Sequence, residues 1–178
     1  MSTIAAGPPR RGVQQVTLLD GAVVNMRRLK KSDIDAVIAL HRQLSEREQY
    51  LRFFMIHPPY IEEFAEKVVR RTPDNFAVGA FEGDDLIGVA NYVRTGEPTE
   101  AEVAVAVAHQ DHLRGVATAL LRHLGKAARG KGIRYFVADV LAVNGLMLEV
   151  LRDAGWLCTK RYDDSVVHIR IDLSTMHA

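Results

Sequence analysis

Residues 102–121 read EVAVAVAHQDHLRGVATALL. Glu102, Ala104 and Ala106 alternate with Val103, Val105 and Val107, the period of a strand with two distinct faces. A tight basic turn follows, and Val116, Leu120, Leu124 and Ala127 then recur at helical spacing. Such a helix begins with unpaired backbone N–H groups and the positive end of the helix dipole. Gly115 and Ala117 are small enough for an anion to approach the backbone, and Arg114 adds a fixed charge. The stretch therefore predicts a strand, an anion-binding turn suited to pyrophosphate, and a helix. A plain strand-to-helix connection gives the same outline.

Upstream, residues 13–19 and 22–27 flank Asp20-Gly21 and predict a hairpin with a type I′ turn. Ser32 is a candidate N-cap for a helix carrying Ile34, Val37, Ile38 and His41. Residues 45–56 predict a short helix or an ordered loop, ended by Pro58-Pro59, and 60–70 an amphipathic helix. A second hairpin spans 75–93 around residues 82–85, and 100–108 make a third strand region. Downstream, the long helix ends near Gly130 and Gly132. A strand at 134–141, a helix at 145–154 and a closing pair at 156–162 and 165–171 complete the order. Antiparallel strands followed by β–α–β–α–β predict a mixed α+β fold, a largely antiparallel sheet of about 6–8 strands flanked by helices.

At 178 residues, residues 13–178 are expected to form one domain, behind a disordered lead-in over 1–12 containing Pro8-Pro9 and Arg10-Arg11. A formal net charge of +1 argues against non-specific nucleic-acid or acidic-membrane binding. The single cysteine, Cys158, excludes an internal disulfide and suits a reducing compartment. Its place after Trp156 on a strand marks it as a small buried apolar residue. No apolar run approaches the roughly 18–20 residues of a membrane span, and no secretory h-region opens the chain. The expected location is the cytoplasm.

His112-Leu-Arg-Gly115-Val-Ala117 fits Gln/Arg-x-x-Gly-x-Gly/Ala at its fourth and sixth positions, and residues 118–121 (TALL) follow it. The segment resembles the acetyl-CoA-binding motif of the GNAT superfamily of N-acetyltransferases. A second block agrees: a strand at 135–141, then Asn144, Leu151 and Ala154-Gly155-Trp156. The stretches LSEREQYLRFF (44–54), AEVAVAV (101–107) and VLRDAGW (150–156) resemble the bacterial protein-lysine acetyltransferase branch. In that branch the catalytic module is often fused to a regulatory domain. A chain of this length holds none, so regulation is expected to be absent or to come from another chain.

This resemblance implies acetyl-CoA as acyl donor, a primary amine as acceptor, no metal, and a monomer or homodimer. It implies that backbone groups of Val105, Ala106 and Val107 hold the pantetheine arm and polarise the thioester. It places the pyrophosphate on the turn formed by His112, Leu113, Arg114, Gly115, Val116, Ala117 and Thr118, and Asn144 beside the cofactor arm. Two residues depart from the pattern. His112 replaces Gln or Arg, and Leu151 stands where many members carry the tyrosine that protonates the leaving thiolate. A thiolate with a pKa of about 8.5 still leaves readily and takes its proton from solvent.

Direct attack on a thioester requires a neutral amine. For a lysine with a pKa of about 10.4, deprotonation at pH 7 costs roughly 4.6 kcal/mol. A general base is the remedy. Glu102 is the candidate, where protein-acetylating relatives carry their glutamate; Glu100, of the same strand parity, is the reserve. His109 and His112 show H-x-x-H spacing but need further ligands for zinc, and read as polar turn residues. Arg52, Phe53 and Phe54 are candidates for the acceptor mouth, and Arg27-Arg28 with Lys30-Lys31 for a solvated face. Protein lysine is the favoured acceptor. A small-molecule amine is the alternative, and a non-catalytic acetyl-CoA sensor is the rival of another class.

Overall fold

The computed structural model describes residues 10–53, 60–112 and 114–176, with Phe53 described in its backbone alone. The described residues form eight strands: β1 (Val13–Thr17), β2 (Val23–Arg28), β3 (Asn75–Glu82), β4 (Asp85–Arg94), β5 (Glu100–Val107), β6 (Tyr135–Leu141), β7 (Leu157–Asp163) and β8 (Val166–Asp172). Helices α1 (Ile34–Arg42), α2 (Glu46–Phe53) and α3 (Ile61–Val69) lie between β2 and β3. Helix α4 (Val116–Arg129) joins β5 to β6, and α5 (Gly145–Asp153) joins β6 to β7. One sheet runs β1-β2-β3-β4-β5-β6-β8-β7. Every pairing is antiparallel except β5 with β6, which α4 connects as a β–α–β crossover. The mixed α+β, largely antiparallel fold expected from the sequence is the one observed.

The sheet carries a core on each face. Alternate residues of β3 divide between them: Val78 and Ala80 join Leu120, Leu121 and Leu124 of α4, while Ala77 and Phe81 join Val37 and Leu40 of α1 and Ala65 and Val68 of α3. Gly88 of β4 lies under α4, where a Cβ would come 2.9 Å from Leu120 Cδ1 and 3.0 Å from Val116 Cγ1. The helix thus rests almost directly on the strand backbone.

Register between β5 and β6 is short. Only Glu100, Ala101 and Glu102 pair with Tyr135, Phe136 and Val137. Beyond that point β5 stays on β4 up to Val107, while β6 stays on β8 to Leu141. The two parallel strands therefore part from each other, leaving one backbone edge of β5 without a strand partner.

Several local expectations are corrected. The first hairpin does not use a type I′ turn: Gly21 has φ +85°, but Asp20 is not left-handed. Gly21 N–H donates to the Leu18 carbonyl at 3.0 Å and Leu18 N–H to the Ala22 carbonyl at 2.8 Å. This is a three-residue loop closed by a left-handed glycine. Ser32 does not cap α1. A 3-10 turn, Lys31–Asp33, precedes that helix, and the Asp33 carboxylate accepts from Lys30 N–H at 2.8 Å. Nor are Arg27 and Arg28 merely solvated. Arg27 forms a two-pronged pair with Asp33 and stacks 4.1 Å over Phe81, while Arg28 lies 4.5 Å over Phe76. Residues 46–53 form a helix, with Ser45 and Glu48 closing a reciprocal capping box at its start. Cys158 is half-buried, its thiol pushed up by burial and donating to the Trp156 carbonyl. Of the lead-in expected over 1–12, residues 1–9 lie outside the described residues, as do Phe54 and Leu113.

Candidate active site

A cavity of about 620 Å³ occupies the gap where β5 and β6 part. Val103 to Val107 of β5 form one wall, Ala138 to Val140 of β6 the other, and residues of α2, α5 and the first turn of α4 close the ends. Glu102, Val105, Ala106, Val107, His112, Gly115, Val116, Ala117, Thr118 and Asn144 all line it. Ten of the residues expected at the site thus border one cavity. Glu100 is not among the lining residues. Its carboxylate lies 3.5 Å from Arg170 and accepts from Thr95 Oγ1 at 3.2 Å.

The start of α4 closes one end of the cavity. Gly115 occupies the N-cap position with φ +87°, and no side chain caps it. The N–H groups of the first turn are therefore left without a side-chain cap, beside half-buried Ala117 and Thr118. A Cβ on Gly115 would meet Leu19 Cγ at 3.2 Å, so both conformation and space select glycine.

Arg114 is used differently from expectation. It does not line the cavity. Its guanidinium binds Asp20 at 2.7 Å, Glu82 at 2.5 Å and Asp111 at 2.5 Å, which raises its pKa. Those carboxylates belong to the β1–β2 hairpin, the end of β3 and the 3-10 turn His109–Asp111. Arg114 thus clamps the turn to two hairpins and has its charge answered threefold. The His112 ring donates from Nε2 to the Val107 carbonyl at 3.0 Å, tying the turn back to β5. Asn144 caps α5, its Oδ1 accepting from Met147 N–H at 3.1 Å.

Glu102 is exposed to the cavity on the face of β5 turned toward α2. Arg52 of α2 is its electrostatic neighbour. Burial pushes the Arg52 guanidinium down to about 10, and the Glu102 carboxylate opposes that fall. Leu151 is buried at 2% exposure, so no hydroxyl stands at that position. Sequence reasoning missed the further acidic lining: Glu48 from α2, Asp139 from β6, and Glu149 and Asp153 from α5. The pattern Ser45-x-x-Glu48 was the available signal for the first of these, since it marks a helix start. The others needed the strand and helix to be placed side by side.

Residues 38–156 match the sequence model of the Acetyltransferase (GNAT) family. The chain belongs to the GNAT family of acetyltransferases. It is similar to the GNAT domain of S. lividans PAT, with a TM-score of 0.83 and 31% identity over 93% of this chain and 99% of that one. The cAMP-binding acyltransferase from Mycobacterium smegmatis shares the GNAT fold at a TM-score of 0.63 and 22% identity. That likeness covers 93% of this chain but 49% of the other, so this chain spans about half the length of that protein. The PaiA N-acetyltransferase from Thermoplasma acidophilum, solved in complex with coenzyme A, matches at a TM-score of 0.64 and 18% identity over 84% and 98% of the two chains. Among the described residues no helix is long and apolar enough to cross a membrane.

Proposed function

We propose that this GNAT acetyltransferase moves the acetyl group of acetyl-CoA to a cationic primary amine, with Glu102 as general base. Protein lysine is the favoured acceptor class, supported by the similarity to the GNAT domain of S. lividans PAT. The observation that carries the acceptor charge is the cavity lining. Among the described lining residues Glu48, Glu102, Asp139, Glu149 and Asp153 stand against Arg52 as the one guanidinium, Asp111 being paired with Arg114. A field of that sign concentrates ammonium groups and raises their encounter rate.

The unpaired edge of β5 suits an extended amide arm, which pairs with Val105 and Val107 as a strand would. The first turn of α4, at Gly115 to Thr118, holds the pyrophosphate by backbone N–H groups. Arg114 contributes by fixing that turn, its own charge being satisfied by three carboxylates. Glu102 takes the ammonium proton directly or through one water. The freed amine attacks the thioester carbonyl carbon, and a backbone N–H of β5 near Ala106 stabilises the oxyanion. Collapse breaks the C–S bond as the nitrogen gives up its second proton to water. With Leu151 in the wall, the departing thiolate takes its proton from solvent.

The test incubates acetyl-CoA with a panel of amines, including lysine-bearing proteins and polyamines, and follows free thiol release. Turnover with basic acceptors is expected, and Glu102→Gln should lower kcat by about 10²–10⁴-fold while leaving coenzyme A binding intact. Unchanged turnover in that variant would remove Glu102 as base. Tight coenzyme A binding with no turnover on any amine would replace the enzyme reading with the sensor one.

A further inference from the structure

The H-x-x-H pair in the turn before α4 lacks ligands only while the chain is read in one dimension. In three dimensions α2 brings Glu48 to it. Glu48 Oε1 lies 2.7 Å from His109 Nδ1 and 3.6 Å from His112 Nε2, and the three donor atoms sit within 4.8 Å of one another. We propose that Glu48, His109 and His112 bind one divalent cation of the zinc class at the rim of the cavity.

Two imidazoles and one carboxylate form a three-protein-ligand set that zinc accepts, leaving a fourth position for water or a substrate atom; magnesium and calcium prefer oxygen throughout. Metal–ligand bonds of about 2.0–2.1 Å hold tetrahedral donors roughly 3.3–3.5 Å apart; the His112 Nε2–Glu48 Oε1 distance of 3.6 Å is near that, while the exposed His109 ring, 2.7 Å from Glu48, swings outward to admit the ion. The carboxylate is already oriented. Its other oxygen accepts from Ser45 N–H at 2.8 Å, the type of outer contact that fixes a ligating group. Access is open as well, because the His109 side chain is 75% exposed while Glu48 and His112 reach inward to the cavity. Ligation uses the His112 Nε2 lone pair, so its proton resides on Nδ1 and the bond to the Val107 carbonyl is given up. A bound dication would place positive charge beside the α4 turn, where that of Arg114 is already matched by carboxylates.

This inference stands apart from acetyl transfer, and its test needs none. The metal-free full chain is titrated with Co²⁺ and then with Zn²⁺. The expected result is one Co²⁺ per chain with the intense visible bands of a four- or five-coordinate site, displaced by one Zn²⁺. Added Zn²⁺ should also raise the Tm. His109→Ala, at an exposed turn position, should weaken binding by about tenfold or more and abolish the Tm rise, and Glu48→Gln should do likewise with an unchanged circular dichroism spectrum. Cys158→Ser should bind as the parent does. Absence of stoichiometric binding, an octahedral cobalt spectrum, parental affinity in His109→Ala, or loss of binding in Cys158→Ser would each overturn the proposal.

Discussion

Gly115 is the residue on which the proposed anion site turns. Its φ of +87° is left-handed, and Leu19 stands 3.2 Å from where a Cβ would be. Gly115→Ala should cost about 1–2 kcal/mol in urea unfolding and weaken coenzyme A binding measured by calorimetry. Unchanged affinity would mean that the turn tolerates a reset backbone. Tyr92 presents the opposite case. Stacked between Phe76 and Phe136, it is fully buried, and its hydroxyl has no hydrogen-bond partner among the described residues. Stripping that hydroxyl of water costs roughly 1–3 kcal/mol, so Tyr92→Phe should raise the denaturation midpoint. A clear loss of stability would point to a bound water in the core. Gly115 was legible in the sequence because its neighbours spell the turn. Arg114 was legible as a charge but not as a clamp, since Asp20 and Glu82 reach it only across two hairpins.

At the scale of elements, α1 and α4 sit on opposite faces and respond to different changes. His41 of α1 is buried against Phe64 of α3, ring centroids 4.9 Å apart, and its Nδ1 donates to the Val37 carbonyl at 2.8 Å. Burial pushes its pKa down from 6.5 to about 4. The unfolded chain therefore takes up this proton near pH 6.5, whereas the folded chain resists until about pH 4. The His41 contribution is complete above pH 6.5 and is lost as pH falls toward 4, on the order of 3 kcal/mol in all. Urea unfolding at stepped pH should show that slope, and His41→Leu should flatten it. Across the sheet, Gly88→Val would push Leu120 and Val116 off β4. A loss of about 1–3 kcal/mol and weaker coenzyme A binding are expected, because the start of α4 is also the proposed anion site. Gly88 looked like any strand residue in the sequence; only the helix lying over it explains the absent side chain.

For the molecule as a whole, the sheet separates two apolar cores. Ile169→Val in the α4 core and Val37→Ala in the α1 core should each cost about 1–2 kcal/mol. Their double variant should match the sum within about 0.5 kcal/mol, and a larger discrepancy would show that strain passes through the sheet. Element order, the β–α–β crossover and the turn from His112 to Thr118 were determined by the sequence itself. Each rests on periodicity or on a local backbone requirement that neighbouring residues express. The early parting of β5 from β6, the capture of Arg114 by three carboxylates, and the meeting of Glu48 with His109 and His112 were decided by tertiary structure alone. Apart from the local Asp111–Arg114 pair, those features join residues tens of positions apart, where only sheet register and helix packing determine which side chains come within bonding distance.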